Sequence, residues 1–190
     1  KSALAAVLAG YGDIQSGSTG GLPSPIGWGS FEAQAELIDA ELKKDDADIT
    51  DVISLGTPVR EIIFTSEIDA AIAQDLITKF ELDYLLNRAF RKLSTGESRK
   101  VMIIRALSCK AELLILDEPT TGLDPQARHV LWDRLYRLKE QGRTLVLTTH
   151  YMDEAEQLCD RLVVMDGGKI VAEGAPCDLI TTYSSREVLE

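Results

Sequence analysis

Hydrophobic and polar positions follow one pattern in the first half of the chain and another in the second half. Between residues 32 and 92, apolar residues recur at helical spacing and strand signals are missing. Further on, the short apolar segments 113–116 and 144–149 alternate with segments of helical periodicity. Such segments are typical of strands in a parallel sheet that is covered on both faces. The pattern predicts a helix-rich region followed by an α/β sheet.

The predicted elements follow from these periodicities and from the positions of glycine and proline. We predict helices over residues 2–9, 32–42, 68–80, 98–107, 125–141 and 152–159, and one that begins near Pro58. We predict strands over residues 26–31, 113–116, 144–149, 161–166 and 169–173. Because strands and helices alternate after residue 113, strand 161–166 is expected to continue the parallel sheet. Segment 11–25 is predicted as a long loop or loose hairpin and segment 43–51 as a solvated loop, and Gly167 and Gly168 are predicted to form a tight hairpin turn into strand 169–173.

The composition is that of a globular domain with an acidic surface. Of the 190 residues, 45% are hydrophobic and 27% are charged, and 31 acidic against 20 basic side chains give a net charge of −11. The sequence has no basic stripe that could follow a phosphate backbone, which argues against nucleic-acid binding. No stretch approaches about 18 consecutive apolar residues, so no membrane span is predicted. Three widely spaced cysteines exclude a disulfide scaffold or zinc site and favour a reducing compartment.

Candidate chemistry lies at the ends of two neighbouring predicted strands. Asp117 and Glu118 follow the first strand, at the edge where doubly wound sheets bind ligands. Asp117 could hold a magnesium ion, and Glu118 could polarise a water for attack on a phosphate. His150 ends the next strand, so it should face the same cavity as Glu118. The alternative interpretations are a strand that simply ends in a polar loop and a structural histidine; His129, in the middle of a helix, is assigned no function.

Four segments resemble, in order and spacing, the motifs of one family, the ATP-binding cassette (ABC) ATPases. They are the signature sequence at 93–97, the Walker B strand with its glutamate at 113–118, the D-loop at 121–124 and the switch histidine at His150. In the signature, Thr95 and Glu97 replace the usual second glycine and glutamine. The chain is therefore identified as resembling the nucleotide-binding domain of an ABC ATPase.

The resemblance also assigns functions near the start of the chain. Lys1 and Ser2, followed by a helix of small residues, match the end of the phosphate-binding Walker A loop, whose lysine reaches the phosphates and whose serine ligates magnesium. The glycines, the strand and the adenine-stacking aromatic that precede them in the family are absent from the sequence, so we expect a domain without its N-terminal segment. By the same resemblance Gln34 contacts the metal and the attacking water; a surface glutamine is the alternative.

From the resemblance we expect a single domain over residues 1–190 with the fold of a P-loop NTPase: a parallel sheet flanked by helices. A helical subdomain at 32–107 is inserted, and 108–190 complete the core. The resemblance implies hydrolysis of ATP with Mg²⁺ by two such domains facing head to tail. Ser94, Thr95, Gly96 and Glu97 would close over the nucleotide of the opposite domain, and Asp124 would signal between the two sites. Transmembrane subunits would be partners, which implies a cytoplasmic protein peripheral to the cytoplasmic membrane.

Two parts of the chain resemble different branches of the family. Residues 1–107 resemble soluble tandem cassette proteins related to molybdenum uptake, whereas residues 111–180 resemble drug- or polysaccharide-export ATPases. Two further hypotheses therefore stay open beside a transporter subunit. One is a soluble regulatory or repair cassette, and the other is a catalytically silent assembly module that keeps only the fold.

Overall fold

The computed structural model describes residues 2–10, 20–22, 26–46 and 56–184. Lys1 and most of the predicted loops at 11–25 and 43–51 lie outside these ranges. The helices are α1 (Ser2–Leu8), α2 (Phe31–Asp46), α3 (Val59–Ile63), α4 (Ala70–Lys79), α5 (Thr95–Ser108), α6 (Pro125–Glu140), α7 (Met152–Leu158) and α8 (Pro176–Ser184). The strands are β1 (Ile26–Gly29), β2 (Leu113–Asp117), β3 (Thr144–Thr148), β4 (Leu162–Asp166) and β5 (Lys169–Gly174). Short 3-10 turns at Asp83–Leu85 and Phe90–Lys92 connect α4 to α5.

A parallel sheet with the strand order β1-β2-β3 forms the centre of the fold. Its central strand, β2, is buried along its whole length, as the uninterrupted apolar segment predicts. The register places Asp117, the last residue of β2, directly opposite Thr148 of β3. The prediction of a parallel α/β sheet is thus confirmed, and it is this register that sets the carboxyl ends of β2 and β3 side by side.

The structure corrects the prediction for segment 161–166. Strand β4 does not join the parallel sheet; it pairs antiparallel with β5 in a separate two-stranded sheet. The reason is local, because Gly167 and Gly168 both have positive φ angles, of 52° and 77°, and return the chain beside β4 at once. The hairpin turn predicted at Gly167 and Gly168 is confirmed, and it pairs one edge of β4 with β5 without a crossover to β3.

Side chains of β2 alternate between two layers of helices. Leu114 and Leu116 point into the main core with α5 and α6, whereas Leu113 and Ile115 pack with Ala5 of α1 on the opposite face. Gly29 in β1 lets α5 approach closely, because a Cβ atom there would lie 2.9 Å from Leu116 and 3.1 Å from Ala106. Helices therefore cover both faces of the sheet.

The helical region packs on the first of these layers. Its core joins α3, α4 and α5 to α6 through fully buried side chains such as Ile63, Ile77 and Ile104. Helix α4 begins at Ala70, two residues later than predicted, because the Asp69 carboxylate caps it by accepting from the backbone N–H groups of residues 71 and 72.

The structure also corrects the first four residues of the predicted loop 43–51, which belong to a helix. Helix α2 continues to Asp46, and Lys43 forms an exposed ion pair with Asp39 one turn earlier, at 3.1 Å. Residues with good helix propensity at 41–44 explain the extension. None of the helices in the described parts of the chain is both long and apolar enough to cross a lipid bilayer.

Candidate functional site

The first carboxylate of the site, Asp117, ends β2 and is 6% exposed. Its Oδ1 atom accepts a hydrogen bond from the hydroxyl of Thr148 on the neighbouring strand. The backbone N–H of Glu118 donates to the carbonyl oxygen of Thr148 at 2.9 Å, which extends the β2–β3 pairing by one residue. Thr148 thus fixes both acidic residues at the sheet edge.

Glu118 adopts a left-handed backbone conformation with φ of 47°. This conformation costs a residue with a Cβ atom about 1–2 kcal/mol, and strain of this kind is concentrated at functional sites. The turn directs the carboxylate toward His150, whose Nδ1 atom lies 3.2 Å from Oε1. The Thr121 hydroxyl donates to Oε2 at 3.3 Å. Glu118 and His150 therefore lie side by side, as the neighbouring strand ends led us to expect, and a cavity shared by the two stays a prediction.

Both partners of this pair are accessible to a ligand. The side chain of Glu118 is 33% exposed and that of His150 is 50% exposed. The imidazole lies against the ring of Tyr151, with 4.1 Å between ring centres, and the guanidinium of Arg128 lies over that tyrosine at 5.1 Å. A partly exposed carboxylate–imidazole pair beside a buried carboxylate can bind a cation, orient a water molecule and contact a phosphate oxygen.

The segment after Glu118 is anchored to three helices, α5, α6 and α7. The hydroxyl of Thr120 donates to the fully buried carboxylate of Glu154 on α7 at 3.2 Å. Asp124 caps α6 by accepting from the N–H of Ala127 at 2.8 Å, and its other oxygen pairs with Lys100 of α5 at 2.8 Å. The Lys100 ammonium and the Ala127 N–H hold the pKa of Asp124 below its ordinary value.

The signature residues form the start of α5. The helix begins at Thr95, three residues before the predicted boundary, because Ser94 and Glu97 form a reciprocal capping box. Ser94 donates its N–H and its hydroxyl to Oε2 of Glu97, at 2.7 Å and 2.8 Å. These two bonds lower the pKa of Glu97, and the hydrogen bond from Tyr84 to Oε1 of that carboxylate raises the pKa of the phenol.

Gln34 lies against this helix. Its amide nitrogen donates to the hydroxyl of Ser98 at 2.9 Å and lies 3.5 Å from the carbonyl oxygen of Thr95. The side chain is 4% exposed, so the alternative of a surface glutamine is wrong. These contacts join Gln34 to α5, and its contact with a metal stays a prediction.

Two predicted phosphate-binding residues are not placed by the structure. Lys1 lies outside the described residues, and only the backbone of Ser2, the first residue of α1, is described. Helix α1 packs against β2 and β3 through Ala5 and Leu8. The predicted helix at 2–9 is confirmed, and the contribution of Lys1 and Ser2 to the site stays a prediction.

Arg99, Thr148 and Lys100 belong to the site although the sequence pattern does not identify them. Arg99, on α5, is 2% exposed and donates from Nη2 to the carbonyl oxygens of Asp117 and Glu118, at 3.1 Å and 2.8 Å. In the sequence, residues 99 and 100 are indistinguishable from charged residues on a solvated helix face. Thr148 carried a weak signal, because it lies one residue before the end of the predicted strand 144–149, next to the strand that Asp117 follows.

The donor set suits a magnesium ion that is held together with a nucleotide. In the described ranges no three histidine, cysteine or acidic side chains are grouped as a metal site. Mg²⁺ in phosphate-binding proteins needs only one or two protein oxygens, since phosphate and water supply the others. The buried carboxylate of Asp117 at the sheet edge meets that requirement.

Sequence comparison assigns these features to a family. Residues 1–121, which are more than half of the chain, match the family model described as ABC transporter. The chain therefore belongs to the ABC transporter family, and its parallel sheet and Walker B segment are those of an ABC ATPase nucleotide-binding domain.

Among curated proteins, the chain is similar to two ATP-binding proteins whose names include export. It is 48% identical over 120 residues to "Nod factor export ATP-binding protein I" of Rhizobium etli, covering 63% of this chain. It is 49% identical over 124 residues to the protein of the same name from Cupriavidus pinatubonensis, covering 64% of this chain. The matched part spans 38% of the length of each relative.

Solved structures share the architecture. The structure described as the ATP binding subunit of an ABC transporter is 29% identical, with a TM-score of 0.61, and the match covers 74% of this chain and 62% of that one. The structure of RNase-L Inhibitor is 19% identical, with a TM-score of 0.69, and the match covers 96% of this chain and 34% of that one. The second likeness shows the fold alone.

Proposed function

We propose that this chain hydrolyses ATP as the nucleotide-binding unit of an ABC exporter, paired head to tail with a second such unit. The observation that carries the proposal is the pairing of Glu118 with His150 at 3.2 Å, beside the buried carboxylate of Asp117. The names of the two curated relatives support export rather than import. A chain that only assembles with partners would have no need of a strained glutamate that faces a histidine at an open sheet edge.

In this proposal four residues hold the metal and the phosphates. Asp117, with the hydroxyl of Ser2 and the amide of Gln34, would hold Mg²⁺, and Lys1 would contact the phosphates. The bound ion supplies positive charge that offsets the negative charge of the phosphate oxygens. The hydrogen bond from the Thr148 hydroxyl to Oδ1 keeps Asp117 oriented and leaves Oδ2 available.

Glu118 would act on the attacking water. Its carboxylate accepts a hydrogen bond from the water, so that the water oxygen is directed at the γ-phosphorus while the bond to the β-phosphate oxygen breaks. The products are ADP and phosphate, and the water proton passes to solvent or to the phosphate oxygens. The Nδ1 contact with Glu118 orients the imidazole of His150, whose Nε2 would contact the γ-phosphate.

The signature residues would act on the nucleotide of the partner unit. Ser94, Thr95, Gly96 and Glu97 form the exposed N-terminal turn of α5, where the backbone N–H groups favour an anion. In the described state the Ser94 hydroxyl donates to Glu97. Contact with a phosphate would exchange one anionic acceptor for another, while the Lys100–Asp124 pair links the signature helix to the D-loop.

The same proposal assigns regions, partners and place. Residues 32–107 form the helical subdomain and residues 108–190 the core of one nucleotide-binding domain. The partners are a second nucleotide-binding domain and transmembrane subunits, at the cytoplasmic face of a membrane. Export by an ATP-driven pump requires such a membrane partner, and the two curated relatives carry export in their names.

Replacement of the catalytic carboxylate tests this function. Glu118→Gln keeps the volume and removes the charge, so phosphate release from ATP by the whole protein should fall by at least ~100-fold, the range of a positioned acid–base group. The affinity for ATP, measured by calorimetry, should change little.

A matched control uses the same substitution elsewhere. Glu140, exposed at the end of α6, makes no contact with the site residues, and Glu140→Gln should leave turnover unchanged. ATP turnover that is unaltered in Glu118→Gln would show that the glutamate does not orient the water. Absence of ATP binding by the unaltered protein would favour the assembly module instead.

A further inference from the structure

Arg99 is a buried cation between α5, the helix that begins with the signature residues, and the end of strand β2, where Asp117 and Glu118 lie. It lies on α5, one turn after the N-cap Ser94, and is 2% exposed. Burial of a guanidinium is unfavourable unless its charge and its N–H groups are compensated. Burial lowers its pKa to about 10, while the charges of Asp117 and Glu118 act in the opposite direction, so the group stays charged at neutral pH.

The compensation comes from the backbone around Glu118. Atom Nη2 of Arg99 donates to the carbonyl oxygen of Asp117 at 3.1 Å and to that of Glu118 at 2.8 Å. These two carbonyl groups belong to the peptide bonds on either side of the Cα atom of Glu118. A single nitrogen atom therefore restrains both peptide planes that determine where the Glu118 side chain points.

The same peptide segment is held from the opposite side by β3. The N–H of Glu118 donates to the carbonyl oxygen of Thr148 at 2.9 Å. Glu118 nevertheless has a positive φ angle, which residues with a Cβ atom rarely adopt unless the surroundings impose it. The bonds from Arg99 and to Thr148 hold the backbone on either side of this residue, and in this conformation the carboxylate lies at His150.

We propose that Arg99 is a positioning residue for Glu118, through which the signature helix controls the orientation of the catalytic carboxylate. The inference rests on the proposed ATP hydrolysis. A movement of α5, for example when its N-terminal turn meets a partner's nucleotide, would be transmitted through one side chain to both carbonyl groups. Arg99 itself does not touch the reacting atoms.

The test separates positioning from packing by comparing kcat with KM. Arg99→Met cannot donate to either carbonyl group, and we expect kcat for ATP to fall roughly 10- to 100-fold with KM changed less than about 2-fold, as for a misplaced catalytic group. Arg99→Lys keeps a donor and a charge on a shorter side chain, so it should restore part of the lost kcat.

Arg134 provides the matched control. It lies on α6, is 9% exposed, and donates from Nη2 to the carbonyl oxygen of Leu107, away from Glu118. Arg134→Met removes another buried guanidinium that donates to a backbone carbonyl oxygen, so it should lower the melting temperature while kcat stays unchanged. If both variants lose kcat in proportion to stability, the effect of Arg99 is packing alone and the proposal is wrong.

A double variant shows whether Arg99 acts through the carboxylate. Arg99→Met combined with Glu118→Gln should be no slower than Glu118→Gln alone, because the group that Arg99 orients is already inactive. A further fall in the double variant would contradict positioning. If Glu118→Gln lowers turnover and Arg99→Met does not, only this inference fails; if Glu118→Gln has no effect, the proposed function fails with it.

Folding is checked by circular dichroism before each assay. If Arg99→Met does not fold, Arg99→Lys carries the comparison against Arg134→Lys. The proposal would then be overturned if a folded Arg99→Lys turned over ATP as fast as the unaltered protein. It would also be overturned if neither Arg99 variant folded, because the role of Arg99 would then be structural.

Discussion

Asp124 joins two interactions that substitution can separate. One carboxylate oxygen caps α6 by accepting from the N–H of Ala127, and the other pairs with Lys100 of the signature helix, each at 2.8 Å. Asp124→Asn keeps the capping oxygen but cannot accept from the ammonium with its amide group. Asp124→Ala removes both interactions. The two variants therefore measure the ion pair alone and the ion pair together with the cap.

The expected magnitudes follow from exposure and geometry. Loss of an aspartate N-cap costs about 1 kcal/mol, and an ion pair with this exposure contributes roughly 0.5 kcal/mol. The side chains of Lys100 and Asp124 are 22% and 50% exposed, so solvent screens their attraction. At about 2–4 °C per kcal/mol for a chain of this size, Asp124→Ala should lower the melting temperature by about 3–6 °C and Asp124→Asn by about 1–2 °C.

Thermal unfolding followed by circular dichroism provides the assay, and pH provides a second test. Because the folded pKa of Asp124 lies below its ordinary value, the ionised carboxylate stabilises the fold at neutral pH. This stabilisation is complete above the ordinary pKa and is lost as the pH falls through the folded pKa. The difference between the unaltered protein and Asp124→Asn should therefore disappear in acid.

Two results would refute the reasoning about Asp124. Equal loss of stability in Asp124→Asn and Asp124→Ala would mean that the cap contributes nothing. A difference from Asp124→Asn that does not change with pH would mean that the charge is not involved. Lys100→Met is the reciprocal control, and in combination with Asp124→Asn it should add nothing, since either change already removes the pair.

Two further predictions concern surfaces. A Cβ atom at Gly96 would meet no atom within 4 Å, so Gly96→Asp should fold normally. Its negative charge should abolish the ATP-driven pairing of two units, measured by light scattering, while each unit still binds ATP. The control Gly96→Ala should pair like the unaltered protein. If Gly96→Asp still pairs, the signature does not meet a partner's phosphate. On the β4–β5 hairpin, the apolar side chains of Ile170 and Val171 are 61% and 55% exposed. Ile170→Lys should therefore reduce self-association of the protein in light scattering, whereas Thr182→Lys, on the polar side of α8, should not. Equal association of the two lysine variants would show that the hairpin is not the contact surface.

Local patterns were sufficient to predict most elements of this chain. The apolar segment at 113–116 predicted a doubly covered strand, and β2 is buried on both faces. The predicted helices at 2–9, 125–141 and 152–159 lie within one residue of α1, α6 and α7 at each end. Periodicity succeeds here because one face of each helix, or both faces of a strand, must leave water whatever its partner is.

Element ends were less predictable, because they depend on individual side-chain contacts. The start of α5 at Thr95 depends on a reciprocal bond between Ser94 and Glu97, and the extension of α2 to Asp46 includes an ion pair between neighbouring turns. The pairing of β4 with β5 rather than with β3 is a choice between two partners. Gly167 and Gly168 predicted the hairpin with β5, but the alternation of strands and helices did not show that β4 stays outside the parallel sheet.

For the site, the sequence alone determined which residue types stand at the ends of β2 and β3, and hence that carboxylates and an imidazole meet at one edge. Only the tertiary structure decided how they are held. Glu118 has a positive φ angle, contacts His150 and accepts a backbone hydrogen bond from Arg99, which also binds the carbonyl oxygen of Asp117. These contacts join residues that are 18 to 32 positions apart in the chain. Such contacts depend on how α5 packs against the sheet. No local pattern of hydrophobic and polar residues encodes that packing, because the sequence around an arginine does not show whether its side chain is buried.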